Sequence, residues 1–204
     1  MKVNLTEIGK RFNYEWVFRQ ISYEFSSGSS YAILGPNGSG KSTLLQILGG
    51  SLSHSEGEVN YSNNNHEIKS DDFFKFCSFS ASYFELIEEF TLIEFFEFNN
   101  QFKKILLSVN QIIEIIGLNK SSNKQIRYFS SGMKQRVKLA QAFFTEVPVV
   151  LLDEPCSNLD SKGIDLYFNL ISNYCRDRLL IISSNEKLEY SMCKHHLNVN
   201  EFKS

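Results

Sequence analysis

The sequence predicts an α/β fold with a mainly parallel central sheet, and two observations support that prediction. Residues 149–152 and 179–182 are apolar throughout, as strands buried on both faces are. We expect residues 161–176, between them, to form a helix. Strand–helix–strand alternation of this kind gives parallel strands joined by right-handed crossovers.

The N-terminal residues predict an antiparallel β subdomain. Residues 1–34 alternate polar and apolar side chains in short runs. Turn-forming residues at 26–30 precede the apolar run Tyr31-Ala32-Ile33-Leu34. We therefore expect a small antiparallel sheet that leads into a buried strand.

A glycine-rich loop and a short helix come next. The loop covers residues 35–40, and the helix is expected from Lys41 to Leu48, where Gly49-Gly50 ends it. A hairpin-like stretch surrounds residues 57–61, and residues 63–65 are typical of a turn.

The middle of the chain predicts helices. From about residue 73 to residue 127 the sequence is rich in Phe, Ile, Leu and Glu. Residues 106–118 place apolar side chains on one helical face and end near Gly117. A further helix is expected over residues 133–145. No repeat and no linker interrupts the pattern, so we expect a single domain.

Composition excludes several classes of protein. With 42% hydrophobic and 22% charged residues, the chain can bury enough apolar surface to fold. Its net charge of −2 gives no basic surface for nucleic acid, so we expect no nucleic-acid partner. No apolar run approaches the roughly 18 residues that cross a bilayer, which predicts a soluble chain without direct membrane insertion. Four scattered cysteines indicate reduced thiols in the cytoplasm.

The glycine-rich loop matches the phosphate-binding P-loop pattern GxxxxGK[ST], in the sequence Gly35-Pro36-Asn37-Gly38-Ser39-Gly40-Lys41-Ser42. Glycines let successive backbone N–H groups converge on a phosphate, and the helix that starts at Lys41 directs its positive end to the same anion. Lys41 adds a mobile positive charge, and the Ser42 hydroxyl suits Mg²⁺. We assign ATP phosphates to this loop, to Lys41 and Ser42, and to Thr43.

A second motif supplies carboxylates. The apolar strand at 149–152 ends in Asp153-Glu154. If this strand runs parallel to the P-loop strand, Asp153 can hold Mg²⁺ through water and Glu154 can take a proton from an attacking water. The alternative is that both carboxylates merely end a strand.

Three stretches resemble the ATP-binding cassette (ABC) proteins: Phe129-Ser130-Ser131-Gly132-Met133-Lys134-Gln135-Arg136, Asp153-Glu154-Pro155, and Ser157-Asn158-Leu159-Asp160. They are similar to that family's signature motif LSGGQ, its Walker B strand and its D-loop. The resemblance implies a P-loop NTPase fold that forms one nucleotide-binding domain over residues 1–204. Residues 1–72 and 136–204 would form its ATP-binding core, and residues 73–135 an inserted α-helical subdomain with the signature.

The resemblance also implies a head-to-tail dimer that closes on ATP, either a homodimer or a pseudo-dimer. Ser130, Ser131 and Gly132 of one subunit would then meet the γ-phosphate held by the other, with Asp160 in the adjoining D-loop. Phe12 stands where the family places an aromatic ring that stacks on adenine. The alternative for Phe12 is a local core contact, with Trp16 or Tyr14 in its place.

Three positions depart from the family pattern. Ser82 replaces a glutamine that senses metal and γ-phosphate, Asn185 replaces the switch histidine, and Ser131 replaces a glycine whose lack of Cβ leaves room for phosphate. Asparagine can donate a hydrogen bond to phosphate but cannot carry a proton or a positive charge. We therefore expect normal ATP binding and slow hydrolysis. The alternative is a nucleotide-dependent clamp with almost no turnover.

The leading functional hypothesis is the ATPase subunit of an ABC transporter, which drives a separate integral membrane permease from the cytoplasmic face. The alternative is a soluble ABC ATPase of an assembly system, of the iron–sulfur type. The aromatic side chains between residues 73 and 102 would mostly fill the helical subdomain. Tyr83, Phe84 and Leu86 are the expected permease contacts.

Overall fold

The computed structural model describes residues 1–64 and 66–203, and these fall into two units. The first unit comprises Met1–Phe79, Val147–Glu154 and Arg176–Ser204. The second comprises Ser80–Glu146 and Pro155–Cys175. The functional division expected at residues 73 and 135 stays a prediction.

The strands are numbered along the chain: β1 (Lys2–Phe12), β2 (Glu15–Ser26), β3 (Ser30–Leu34), β4 (Glu56–Asn63), β5 (His66–Ile68), β6 (Cys77–Ala81), β7 (Val149–Asp153), β8 (Leu179–Ser183) and β9 (His195–Asn198). The α-helices are α1 (Lys41–Leu48), α2 (Leu92–Phe102), α3 (Val109–Ile115), α4 (Ser131–Phe144) and α5 (Ser161–Tyr174). Short 3₁₀ helices cover Ser70–Phe76, Asn119–Ser121, Ile126–Tyr128 and Val199–Phe202.

The first unit contains an antiparallel sheet whose strands lie in the order β2-β1-β4-β5. Val3 and Leu5 of β1 are buried while the residues between and beside them are exposed, so the alternation in sequence becomes one covered and one solvated face. This confirms the predicted antiparallel subdomain. Of the turn expected at 63–65, Asn65 lies outside the described residues.

A five-stranded sheet follows the order β6-β7-β8-β3-β9. Strands β7, β8, β3 and β9 pair in parallel, with Asp153 opposite Ser183 and Ile33 also opposite Ser183. The carboxyl ends of β3, β7 and β8 therefore share one edge of the sheet. This confirms the predicted α/β class.

Helix α1 covers the first unit's core. Its apolar residues Leu44, Leu45, Ile47 and Leu48 join the buried cluster that includes Ile33, Leu151 and Ile181 from the parallel sheet. Burial of this apolar surface holds α1 against the strand ends. The helix occupies the predicted residues and ends at Gly49.

The second unit is mainly helical, and its helices begin at side-chain caps. Thr91 with Glu94 and Ser108 with Gln111 form capping boxes at the starts of α2 and α3. Ser130 caps α4, which therefore begins before the predicted residue 133. Helix α2 packs against α3, and α4 against α5.

The uniformly helical interpretation of residues 73–127 is wrong in part. Cys77–Ala81 is strand β6, and its side chains are mostly buried. Short buried runs have no period that separates strand from helix, so the sequence pattern did not reveal this strand. The helix expected over 106–118 is shorter, because Ser108 starts it and Gly117, with φ of 71°, follows its end.

Within the described ranges, none of the helices has both the length and the apolar character required to span a membrane.

Candidate functional site

The loop between β3 and α1 leads to a helix start that no side chain caps. Gly40 occupies the N-cap position with φ of 99° and makes no side-chain cap bond. The first N–H groups of a helix have no partners within it, and with the helix dipole they attract anions. A Cβ at residue 40 would overlap Val17 Cγ1, so only glycine fits. The backbone N–H groups from Lys41 to Thr43 are therefore available to a phosphate.

Lys41 folds back onto the loop. Its Nζ donates hydrogen bonds to the carbonyl oxygens of Gly35 at 2.9 Å and Pro36 at 3.2 Å. Burial lowers the pKa of Lys41, while the nearby carboxylates of Glu154 and Asp153 act to raise it. The ammonium group is thus positioned between backbone acceptors and carboxylates, where a phosphate could replace the carbonyl contacts.

Asp153 ends β7 with a buried carboxylate. The residue is 2% exposed, and neither carboxylate oxygen has a hydrogen-bond partner within residues 1–64 and 66–203. Buried polar atoms in folded proteins almost always have partners, so this carboxylate indicates a bound group such as a cation. Carboxylate and hydroxyl oxygens are the ligands that Mg²⁺ prefers, so Asp153 and Ser42 fit it.

Glu154 follows in a strained conformation. Its φ is 47°, unusual for a residue with a Cβ, and its backbone N–H donates to the Ser183 carbonyl at 2.9 Å. The side chain is exposed. Because of this backbone conformation, the Asp153 carboxylate is buried while the Glu154 carboxylate faces solvent. The two consecutive carboxylates are therefore suited to different roles.

Two buried hydroxyls near the P-loop and the end of the parallel sheet have no hydrogen-bond partner among the described residues. They belong to Ser39 in the P-loop and to Ser183 at the end of β8. Ser183 is the register partner of Asp153. Sequence reasoning did not single out Ser183, although a serine that ends the apolar run 179–182 is a signal that could have done so.

Asn185 contacts the P-loop directly. Its Nδ2 donates to Asn37 Oδ1 at 2.5 Å. The predicted switch residue and the phosphate loop are therefore brought together within the first unit. Pro36, Asn37 and Gly38 are exposed, so ligands can reach this part of the loop.

Phe12 lies at the end of β1 and is 50% exposed, so it is not a core residue. Lys10 Nζ lies 4.9 Å from its ring centroid. The ring of Trp16 is contacted by Arg19 and Arg11, at 4.3 Å and 5.6 Å. Tyr14 is almost wholly exposed. Phe12 thus has surface for a flat ligand, and its contact with adenine stays a prediction.

In the second unit, the signature residues line a cavity of about 390 Å³, together with Arg136, Asn158 and Asp160. Ser130 caps α4 by accepting from the N–H of Met133 at 3.2 Å. A Cβ at Gly132 would lie 2.9 Å from the Asn158 carbonyl oxygen, so the two backbones approach closely here. Ser131, which was expected to crowd phosphate, is exposed at the first turn of α4.

Asp160 has two partners of its own within this unit. Its Oδ1 accepts from the Gly163 N–H at 2.8 Å, which caps α5, and from Arg136 at 2.7 Å. The Gly163 N–H and the Arg136 guanidinium lower the pKa of Asp160. These contacts give Asp160 a structural role, and its nucleotide contact stays a prediction. The sequence motif did not indicate Arg136 as its partner.

Ser82 directly follows β6 and is exposed. Its carbonyl oxygen accepts a hydrogen bond from Lys138 Nζ at 2.7 Å, and the Ala81 carbonyl accepts from the same group at 3.3 Å. On the same helix, Gln135 Nε2 donates to the Pro155 carbonyl at 2.7 Å. Side chains of helix α4 therefore bind both the segment that follows β6 and the segment that follows Glu154. Sequence reasoning missed these contacts. The role of Ser82 toward metal stays a prediction.

The expected permease contacts are corrected in part. Leu86 is 9% exposed and belongs to the buried side chains, whereas Tyr83 is 47% and Phe84 37% exposed. Leu86 follows the exposed Glu85 and turns inward because its burial is favourable, whereas the next residue, Ile87, stays exposed.

Most aromatics between residues 73 and 102 are covered at least in part: Phe73, Phe95 and Phe96 are buried, and Phe76, Phe79, Phe90 and Phe98 are half-buried. Phe73, Phe76 and Phe79 pack in the core of the first unit, however, and not in the helical subdomain as expected.

Comparison with known proteins agrees with this geometry. A family model described as ABC transporter matches residues 18–157. The chain is 32% identical over 208 residues to the uncharacterized ABC transporter ATP-binding protein YybJ of Bacillus subtilis (strain 168), with 97% of this chain and 92% of that protein covered. It spans about half the length of several other curated relatives.

Two solved structures share the fold. A putative ABC transporter ATP-binding protein from Pyrococcus furiosus aligns with a TM-score of 0.84 at 20% identity over 100% of both chains. The dimeric structure of MJ0796, a bacterial ABC transporter cassette, aligns with a TM-score of 0.77 at 23% identity over 97% of this chain and 95% of that one. Since the family model matches more than half of the sequence, the chain belongs to the ABC transporter family as one of its ATP-binding domains, which are ATPases.

Proposed function

We propose that this chain is the ATP-hydrolysing subunit of an ABC transporter, which binds ATP with Mg²⁺, dimerises on it and drives a separate membrane permease from the cytoplasmic face. The observation that carries the proposal is the set of groups at one sheet edge of the first unit. They are the uncapped start of α1, the Lys41 ammonium and the buried, unpartnered carboxylate of Asp153.

Each group at this site has a different role in hydrolysis. The N–H groups at the start of α1 and the Lys41 ammonium bind the phosphates. Asp153 and Ser42 would hold Mg²⁺, which neutralises phosphate charge when bound. Glu154 takes a proton from water while the water oxygen bonds to the γ-phosphorus and the bond to the β–γ bridging oxygen breaks. Glu154 then gives its proton to the departing phosphate or to solvent, and ADP and inorganic phosphate leave.

We infer slow turnover from Asn185. Its amide already binds Asn37 of the P-loop, so it can orient the loop and donate to a phosphate oxygen. It cannot accept and return a proton at neutral pH as an imidazole can. If the amide limits the rate, Asn185→His should raise kcat with little change in KM. No gain would mean that another residue compensates, and Ser82 would then be the next position to test.

Dimerisation on ATP is supported by the second unit's cavity. The cavity opens at the start of α4, where the N–H groups of Ser131 and Gly132 can bind an anion that another subunit holds. The related cassette MJ0796 is dimeric in its solved structure. Light scattering on Glu154→Gln with Mg-ATP should give twice the monomer mass, whereas Lys41→Ala in the same background should stay monomeric.

A permease partner is supported by exposed apolar side chains in the second unit. Tyr83 and Phe84 form an edge-to-face pair with ring centroids 5.2 Å apart, and Ile87 beside them is also exposed. Exposed apolar groups that lie together often mark protein contacts. We assign this group to the permease, and a soluble assembly partner is the competing outcome of the test.

The test is affinity purification of tagged Glu154→Gln from detergent-solubilised native membranes with Mg-ATP. We expect one integral membrane protein in near-equal amount, which is reduced when Tyr83 and Phe84 are changed to serine. Tyr128→Ser, which also changes an exposed aromatic of this unit, is the matched control. Recovery of soluble partners alone, with none of the chain in the membrane fraction, would overturn the transporter role and favour an assembly ATPase.

A further inference from the structure

We propose that Ser183 belongs to the cation site, where its hydroxyl and the Asp153 carboxylate bind the same water of the Mg²⁺ hydration shell. This inference rests on the proposed function and adds a residue to it. The starting observation is that Ser183 Oγ is fully buried and has no hydrogen-bond partner among the described residues.

A hydroxyl at this position needs an explanation. The four residues before it, 179–182, are buried and apolar, so the strand would be covered equally well with an apolar residue at its end. A buried hydroxyl without a partner destabilises the folded chain, which is why such groups are rare. The neighbouring Ser184 is also buried, but its Oγ accepts from the Glu186 N–H at 2.9 Å. Contacts within the fold therefore account for the buried hydroxyl of Ser184, but not for that of Ser183.

The sheet register places Ser183 beside the carboxylate. Ser183 of β8 pairs in parallel with Asp153 of β7. Register partners on adjacent strands lie about 4.8 Å apart and direct their side chains to the same face. Both side chains are buried, and all three of their side-chain oxygens lack partners. Adjacent unpartnered oxygens on one face indicate a common ligand.

The other neighbour of Ser183 leads to the phosphate loop. Ser183 also pairs with Ile33 of β3, the strand that runs directly into the loop and then into α1. The hydroxyl thus lies on the strand between the P-loop strand and the carboxylate strand. In the proposed function, the cation that neutralises phosphate charge lies in this region, between the P-loop strand and the buried carboxylate of Asp153.

The chemistry suits an outer-shell role. Mg²⁺ retains several of its waters in protein sites, and those waters need oxygen acceptors. A serine hydroxyl can accept from such a water and donate to a carboxylate. Outer-shell partners of a metal typically change its affinity by about 10- to 100-fold when they are removed.

The test measures the affinity for fluorescently labelled ADP by anisotropy, in Mg²⁺ and in EDTA, on the full chain. Ser183→Ala should leave the affinity in EDTA unchanged and weaken it about tenfold in Mg²⁺. Ser183→Thr, which retains the hydroxyl, should keep the Mg²⁺ effect. Ser184→Ala, which removes a hydroxyl with a protein partner, should also keep it.

A second readout is the melting temperature in EDTA without nucleotide. Ser183→Ala should melt at the same or a higher temperature, because an unpaired hydroxyl is removed. A lower melting temperature, or an unchanged Mg²⁺ effect in Ser183→Ala, would overturn the inference while leaving the proposed function intact. Wild-type protein whose ADP affinity is the same in Mg²⁺ and EDTA would overturn both this inference and the proposed assignment of Asp153 to the cation.

Discussion

The substitution Asp153→Asn should stabilise the nucleotide-free protein while destroying its response to Mg-ATP. Both carboxylate oxygens of Asp153 are buried and have no hydrogen-bond partner in the part of the chain that the structure describes, so folding removes this carboxylate from water without replacing its hydrogen bonds. Asparagine keeps the shape and removes the charge. The stabilised fold would lose the carboxylate that the cation requires.

The magnitude follows from the contacts of this site. Relief of an unsatisfied buried group contributes about 1–3 kcal/mol, and more if the group is charged. Lys41 loses the attraction of Asp153 but keeps its hydrogen bonds to Gly35 and Pro36, which brings the expected gain to about 1–2 kcal/mol. For a chain of 204 residues this corresponds to a rise in melting temperature of about 2–8 °C.

The assay is thermal denaturation by circular dichroism, in EDTA and in saturating Mg-ATP. Ligand at about 100 times Kd stabilises the wild type by about 2.7 kcal/mol, so the order of melting temperatures should reverse when Mg-ATP is added. Asp165→Asn changes an exposed carboxylate on α5 and should shift neither condition. If Asp153→Asn melts below the wild type in EDTA, the carboxylate has stabilising partners and the reasoning is refuted.

Three further outcomes are expected. Gly132→Ala should weaken ATP-dependent dimerisation several-fold in the Glu154→Gln background, because its Cβ would meet a carbonyl at 2.9 Å; an equally tight dimer in light scattering would contradict this. The pKa of Asp160 lies below its ordinary 3.8, so its stabilisation is present above that pH and is lost as the pH falls through the lowered value. In Asp160→Asn the free energy of unfolding, measured by urea titration between about pH 2 and 7, should therefore fall less at acidic pH than in the wild type. An unchanged fall would show that this carboxylate does not contribute to the pH dependence. Lys138→Met should speed amide exchange just after Ser82, as measured by mass spectrometry, and unchanged protection there would show that the loop is held by other contacts.

Local motifs made much of the first unit predictable. The bounds of α1 follow from a glycine-rich loop before it and Gly49 after it, and both signals act within a few residues. The runs that became β7 and β8 were recognisable because parallel strands covered on both faces are apolar throughout. The order of strands then brought the P-loop and Asp153 to one edge, as expected.

What the sequence did not predict depends on contacts between distant residues. Nothing in the local pattern around Leu86 indicates that it is buried while Tyr83 is exposed. The partners of Arg136 and Lys138 lie more than 20 positions away along the chain. The register of Ser183 with Asp153 is likewise a property of the assembled sheet. Side-chain partners of this kind are set by tertiary packing, which residue periodicity does not encode.

The hydrogen bonds of Lys41 to the Gly35 and Pro36 carbonyls have a consequence for the end of each catalytic cycle. If Lys41 binds the nucleotide phosphates, as proposed, its ammonium group needs other acceptors when ADP departs, because a buried donor without a partner is destabilising. The Gly35 and Pro36 carbonyls supply those acceptors within the same loop. In the proposed cycle the empty site is therefore stable before a new ATP binds.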